Sequence, residues 1–281
     1  MTIERVQMPL SNDALGIRFD LEADLYHRRE LGVVSKSALD LFQRSPAHYK
    51  AWIDGHDRKE TDALRFGQAM HVALLEPERF SDTYIVEPDF GDCRGKANRA
   101  ARDAWRESNA NRVVVSNDNQ SSITAMQRSF FAHPTASKLL HGGISEVSLR
   151  WVDDETGVVC KARADRWNPD RKLAVDLKST DDASPEGFAK SVAKWRYHVQ
   201  DALYRAGFAA CGEPVEHFAL VAIEKEPPYA VAVYTLDTEA VAKGHSLARA
   251  GIEMMRVCLD TKSWVAYSNG VSELALPRWA S

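Results

Sequence analysis

The chain is poor in cysteine, carries no surplus of positive charge and has no long apolar run. Each lack removes a class of protein. Its four cysteines, Cys93, Cys160, Cys211 and Cys258, lie far apart and form no Cys-x-x-Cys pair. That spacing argues against a zinc ribbon. Four free thiols in a reducing cytosol is the reading that fits, so a cytoplasmic location is expected. No stretch of about 18 apolar residues occurs, and no membrane span is expected. The opening Met-Thr-Ile-Glu-Arg lacks a basic start followed by an apolar run, so a signal peptide is not supported. Repeats and low-complexity segments are missing too. The formal net charge is −4, which does not describe a globally basic nucleic-acid binder. Positive charge would have to be placed locally, where phosphates pass.

Apolar residues make up 44% of the 281 positions, ample for a buried core. The length suits one large domain or two small ones. We read one domain: a helical part over about 1–143, a sheet core over about 144–236, and a C-terminal helix and tail over about 237–281. Helices are predicted from Ser35 or Ser37 to about Gln43, from Pro46 to Ile53 and from Asp62 to Glu76, the last stopped by Pro77. A further helix fits 96–107, and the stretch 117–141 carries one with Ile123, Met126 and Phe130 and then a short one from Pro134 to Leu140. A short strand fits 84–87, and longer ones fit 144–152, 158–167 and 172–179. Helices over 185–195 and 197–211 come next, then strands over 216–223 and 229–236, and a long helix over 238–260. This order suits an α/β fold with a central mixed sheet flanked by helices.

The chemistry gathers at the sheet. Asp165 lies in Val158-Val-Cys-Lys-Ala-Arg-Ala-Asp-Arg-Trp167, and Asp176 and Lys178 lie in Leu173-Ala-Val-Asp-Leu-Lys-Ser179. The turn Asn168-Pro-Asp-Arg171 separates the two stretches. A strand alternates its side chains between faces, so Asp176 and Lys178 point the same way and Leu177 points into the core. Asp165, one strand over, reaches the same face. Two carboxylates suit a hard divalent cation, and an ammonium beside them suits an attacking water. A hairpin with a surface ion pair, worth under about 1 kcal/mol, would show the same three residues. Two other pairs accompany them: Gly67-Gln-Ala-Met-His71, and Gln200-Asp-Ala-Leu-Tyr204, whose first and last side chains share a helix face. Glu146 sits on the strand before Asp165. It either joins a metal shell through water or pairs with Arg150 or Arg163. Lys96, Arg99, Arg102 and Arg106 form one stripe on their predicted helix, which is either a solvated face or a DNA contact.

The order His71, Asp165, Asp176-x-Lys178, Gln200-x-x-x-Tyr204 resembles the RecB-like branch of the PD-(D/E)xK nuclease superfamily. The scattered cysteines argue against its iron–sulfur members. Ser37-Ala-Leu, Ser45-Pro-Ala-His-Tyr-Lys50, Phe66-Gly-Gln-Ala-Met-His71, Ala174-Val-Asp-Leu-Lys-Ser-Thr180 and the tail from Trp264-Val-Ala-Tyr267 to Leu276-Pro-Arg-Trp-Ala280 are similar to exonuclease VIII (RecE-type) nucleases, over nearly the whole chain. Leu31-Gly-Val-Val-Ser-Lys-Ser37 also resembles the 5′-phosphate segment of the related phage lambda exonuclease. That enzyme has an arginine before its Leu-Gly. Here Glu30 stands there, with Arg29 as the substitute and Arg28 or Arg29 as a partner for the glutamate.

The resemblance implies a Mg²⁺-dependent exonuclease, with Mn²⁺ as a substitute. Asp165, Asp176 and the Leu177 carbonyl would hold metal, with His71 as a further ligand. Lys178 would orient or deprotonate the water, and Gln200 and Tyr204 would position water or phosphate. Arg29 and Ser37 would hold a 5′ end. It further implies 5′ to 3′ digestion of linear double-stranded DNA ends by a homo-oligomeric ring, trimeric or tetrameric. The product would be a 3′ strand for a single-strand annealing recombinase. A structure-specific endonuclease of the same superfamily, or a catalytically idle DNA-binding subunit, are the alternatives.

Overall fold

The computed structural model describes residues 14–56, 61–268 and 270–276. Residues 1–13 of the lead-in and 277–280 of the tail resemblance lie outside the described residues. The chain opens with β1 (Gly16–Arg18), α1 (Ala23–His27) and β2 (Val33–Val34). Hydroxyl residues then start the next three helices. Ser35 caps α2 (Lys36–Arg44), its Oγ accepting from the Ala38 N–H at 3.3 Å. Ser45 caps α3 (Pro46–Ile53), with Pro46 at the first helical position. Thr61 caps α4 (Asp62–Leu75), accepting from the Leu64 N–H at 3.2 Å. These caps satisfy donors that a first helical turn leaves unpaired. Pro77 ends α4 as predicted and also opens α5 (Pro77–Thr83), because a proline at a first helical position forfeits no hydrogen bond.

A small parallel pair follows, β3 (Tyr84–Val86) with β4 (Val113–Val115). Between them runs α6 (Lys96–Ser108), which buries no residue. After α7 (Asn117–Ala132) and α8 (Ala136–Leu139) come β5 (Ile144–Val152), β6 (Val159–Asn168) and β7 (Leu173–Thr180). Helices α9 (Pro185–Trp195) and α10 (Tyr197–Ala210) cross over to β8 (His217–Glu224), and β9 (Val231–Tyr234) and α11 (Thr238–Thr261) finish the chain. The sheet order is β1-β5-β6-β7-β8-β9, with β2 also beside β6. The β7–β8 and β2–β6 pairs are parallel and the rest antiparallel. This is the mixed sheet predicted.

Strand alternation divides the core in two. Val147, Leu149, Ala174 and Leu220 pack under α10, α11 and α2 against Leu203, Phe208, Ile252 and Leu39. Val175, Leu177 and Val221 pack on the other face against Met70, Leu74, Met126 and Phe130 of α4 and α7. Leu177 is fully buried, as its position between Asp176 and Lys178 predicts. Burying one such side chain contributes roughly 1.5–3 kcal/mol. Two glycines bring layers close on the α10 and α11 side. A Cβ on Gly207 would sit 2.6 Å from the Trp151 ring, and one on Gly244 would sit 2.0 Å from the His198 carbonyl.

Candidate active site

The site is a fork in the sheet. β6 pairs with β5 along nearly its whole length, but its other edge changes partner. Arg166, Trp167 and Asn168 pair with β7, whereas Val159 and Cys160 pair with β2. Between them, Lys161 to Asp165 have no strand on that edge. β7 continues away beside β8, so the Leu177 N–H and C=O turn toward the opening without a strand partner. A buried backbone group left unpaired is costly, and side chains take the places. The Asp165 carboxylate accepts from the Leu177 N–H at 2.7 Å. His71 Nε2, from α4, lies 2.9 Å from the Leu177 carbonyl and 3.1 Å from Asp165 Oδ2.

The histidine is in an acceptor cage. Its Nδ1 sits 2.7 Å from the Gly67 carbonyl, one turn earlier on α4. Both ring nitrogens therefore face acceptors, and both must donate, which makes the ring an imidazolium. Burial works against that charge, but Asp165 and the Gly67 carbonyl outweigh it and raise the pKa to about 9. The spacing Gly67-x-x-x-His71 thus places a carbonyl that fixes the ring orientation.

Asp176 and Lys178 share a face, as predicted, and form an ion pair. Asp176 also accepts from the Gln200 amide, which α10 presents. Burial, and then the charge of Asp165, push the Asp176 carboxyl up to about 6 against the pull of Lys178. Lys178 is the reverse case. Burial would lower it, but Asp176 and Asp165 hold it as an ammonium, raised above its ordinary value. Tyr204 is buried one turn beyond Gln200, edge-on to Phe218, with its hydroxyl directed at the Gln200 side chain. Gln200 thus holds Asp176 by a hydrogen bond, and Tyr204 is buried beside Gln200 on the same helix face. Glu146 stands opposite Asp165 with left-handed backbone, φ 54. Its partner is Arg163, at 2.7 Å, and not Arg150. Burial and the Asp165 charge raise its pKa to about 7. Among the described residues no three acidic, histidine or cysteine side chains converge as a ready-made metal cage. The donor set that the fork does bring together is two carboxylates, one backbone carbonyl and one imidazole.

The cleft around this fork has a volume of about 700 Å³, and Ser37 and Lys36 line it with His71, Glu146, Asp165, Lys178, Gln200 and Tyr204, while Asp176 is buried and outside the lining. Ser37 is exposed on the first turn of α2. Arg29 lies over the Trp52 ring at 5.0 Å and donates to the Trp52 carbonyl at 2.8 Å. Glu30, expected either to turn away from the pocket or to pair with Arg28 or Arg29, is held by cations from the sheet. It accepts from Arg150 at 2.9 Å and Lys161 at 3.1 Å. Those cations come from β5 and β6, a proximity that sheet pairing creates and local sequence does not. Lys96, Arg99, Arg102 and Arg106 are surface residues of α6, outside the cleft lining. Arg102 pairs with Asp103 at 2.8 Å and Arg106 with Glu87 at 2.6 Å, while Arg99 donates to the Cys93 and Arg94 carbonyls. Sequence reasoning missed Tyr197, whose ring lies 4.6 Å from Lys178 Nζ, and Lys36, which binds Asp40 at 2.7 Å beside the site. The Lys36-Ser37 and Arg196-Tyr197 neighbourhoods hold the only local hint, a polar pair beside each predicted helix start.

Among solved structures the chain is similar to a candidate exonuclease from Eubacterium rectale, with a TM-score of 0.61 and 14% identity over 92% of this chain and 96% of that one. That likeness bears on the fold. A phage-related exonuclease from Haemophilus somnus 129PT matches at a TM-score of 0.31 and 12% identity, over 62% of this chain and 92% of that one, too weakly to carry an argument. No curated protein matches the sequence. The family described as a PDDEXK-like domain of unknown function (DUF3799) matches residues 35–275, which include α2 through α11 and with them His71, Glu146, Asp165, Asp176, Lys178, Gln200 and Tyr204. With that span covered, the chain belongs to this PDDEXK-like family.

Proposed function

We propose that the protein is a magnesium-dependent exodeoxyribonuclease that digests linear double-stranded DNA from its ends, 5′ to 3′, with manganese as a substitute. One observation carries the reading. Where β6 and β7 part, two acids, a lysine, a histidine and a backbone carbonyl without a strand partner meet at one opening. Asp165, Asp176 and the Leu177 carbonyl would hold the ion, with His71 as a further ligand after it gives up its Nε2 proton. This donor set fits magnesium, which takes one or two carboxylates and keeps several waters, so a cage of three side chains is not required. When bound, the ion supplies charge stabilisation to the phosphoryl oxygens and acidifies a water.

The chain's own groups do the rest. Lys178 is an ammonium, so it orients the water by donating to it and places positive charge beside the phosphate. Tyr197 confines that ammonium from one side. Gln200 fixes the Asp176 carboxylate, and Tyr204 fixes Gln200, so both are positioning residues. Glu146 reaches the ion's water shell and takes up a proton near neutral pH. Ser37 and Lys36 offer a hydroxyl and an ammonium to a 5′-phosphate, with Arg29 behind them. The α6 stripe follows the DNA backbone. A homo-oligomeric ring, trimeric or tetrameric, would keep the enzyme on its substrate, and the 3′ strand it leaves would pass to a single-strand annealing recombinase in the cytoplasm. The test is a linear duplex labelled separately at each 5′ and 3′ end, with magnesium or EDTA. Release of 5′ label only, with magnesium only, is expected. Cutting of covalently closed circles would replace this reading with an endonuclease.

A further inference from the structure

Trp195 is a large aromatic residue that the core does not take in. It is 54% exposed and lines the same cleft as Asp165, Lys178 and Tyr197. The backbone around it is fixed. α9 ends at Trp195, Arg196 turns left-handed at φ 56 and ψ 44, and Tyr197 begins α10. The Trp195 carbonyl accepts from Lys36 Nζ at 3.0 Å, and Arg196 donates to the Leu39 carbonyl at 2.9 Å. The indole is thus held out at a rigid corner, two residues from the ring that confines Lys178. The Lys194 ammonium lies 4.8 Å from the indole centre.

An exposed indole with a cation beside it is the pair of groups that a nucleotide engages: the base stacks and the phosphate meets the charge. Inside a duplex both faces of a base are covered by its neighbours. Only a terminal or unpaired base has a face to offer. We infer that Trp195 is a stacking platform for an unpaired nucleobase next to the scissile phosphate, so that the cleft receives the cut strand peeled from its complement. The inference rests on the nuclease reading and extends it, because it specifies the form in which the substrate strand enters. Trp195 is a substrate-positioning residue, set apart from the acids and the lysine.

The test is binding of a short fluorescent single-stranded oligonucleotide in EDTA, followed by anisotropy, so that no turnover is involved. Trp195→Ala should weaken binding by about 5- to 150-fold, the range of one lost base–aromatic stack. Trp195→Phe, which keeps an aromatic face, should recover most of that loss. A series of strands with one abasic nucleotide at successive positions adds a check on the unaltered protein. One position should cost the wild type the same factor and cost Trp195→Ala nothing more. Equal binding by wild type and Trp195→Ala would overturn the inference, as would abasic losses of the same size in both proteins or no single-strand binding by the wild type. Cleavage with magnesium is scored separately. Trp195-dependent binding without any cleavage would refute the nuclease reading and leave the stacking platform in place.

Discussion

His71→Gln should change how the metal-free protein responds to pH. In the folded state the ring is enclosed by Asp165, the Leu177 carbonyl and the Gly67 carbonyl, with Glu146, Asp176 and Lys178 the other charges near it. Burial lowers its pKa, but the acceptors win and lift it from 6.5 to about 9. A rise of that size corresponds to about 3 kcal/mol of stability. The sign follows from linkage. A folded pKa above the unfolded one means that the contribution is complete below pH 6.5 and is lost as pH rises through 9. About 2 kcal/mol of it should go between pH 7 and pH 9. Glu146 does not confuse the window, since its raised pKa of about 7 removes stability mainly below that point. Cys160, raised to about 12 by burial and the Asp153 charge, acts mainly above pH 9. The assay is urea unfolding in EDTA at pH 7, 8 and 9. The wild type should weaken by about 2 kcal/mol relative to His71→Gln across that range, and the two curves should converge at pH 9. Parallel curves would refute the imidazolium and with it the acceptor cage.

Other consequences are as direct. Asp176→Ala should abolish magnesium-dependent cleavage with the circular dichroism spectrum unchanged, and full turnover would sink the assignment. Lys178→Ala should lose on the order of 10²-fold or more in single-turnover rate while duplex binding survives; lost binding at an unchanged rate would contradict its role. Arg99→Ala/Arg102→Ala should lower the salt slope of DNA binding by about 0.9 for each phosphate contact removed, and an unchanged slope would leave α6 a solvated helix. Digestion should be faster on 5′-phosphorylated than on 5′-hydroxyl duplex, and Ser37→Ala should narrow the difference; equal rates on both ends would remove the end pocket. Gly244→Ala should destabilise by about 1–3 kcal/mol or more in thermal unfolding, because the new methyl meets the His198 carbonyl. A neutral result would mean that α11 shifts freely against α10.

Much of this molecule was legible from local pattern. The Ser35, Ser45 and Thr61 caps, the alternation in β5 to β7 and the Asp176-Leu177-Lys178 geometry all follow from residue types at fixed spacing. That Gln200 and Tyr204 share one helix face beside the site was legible, but the hydrogen bond from Gln200 to Asp176 was not. Short elements escaped. β1, β2 and β4 span three residues or fewer and have no periodicity to detect, and α1 and α5 are single turns or little more. The partners of Glu30 and Glu146 depend on the register between distant strands, so the local sequence left a choice in both cases and did not reveal Arg150 and Lys161 as the partners of Glu30. The break at Arg196 was legible as the gap between two predicted helices, but the direction in which its left-handed turn sends Trp195 and Tyr197 was not, because helix spacing does not encode it.

The change of partner along β6 also bears on when the site comes into being during folding. The hairpins β5–β6 and β6–β7 join near neighbours in the chain and close small loops. The contact between Asp165 and the Leu177 N–H spans only 12 residues. His71, in contrast, reaches Leu177 across 106 residues, and β2 must travel further still to lie beside β6. Long loops close late and slowly, because their entropy is lost before contacts repay it. A chain that has formed only its β5–β7 meander holds both acids and the lysine, yet it lacks the histidine, the α2 wall and the second partner of β6. The chemical groups come early and their organisation comes last, so a partly folded chain carries the residues of the site without its arrangement.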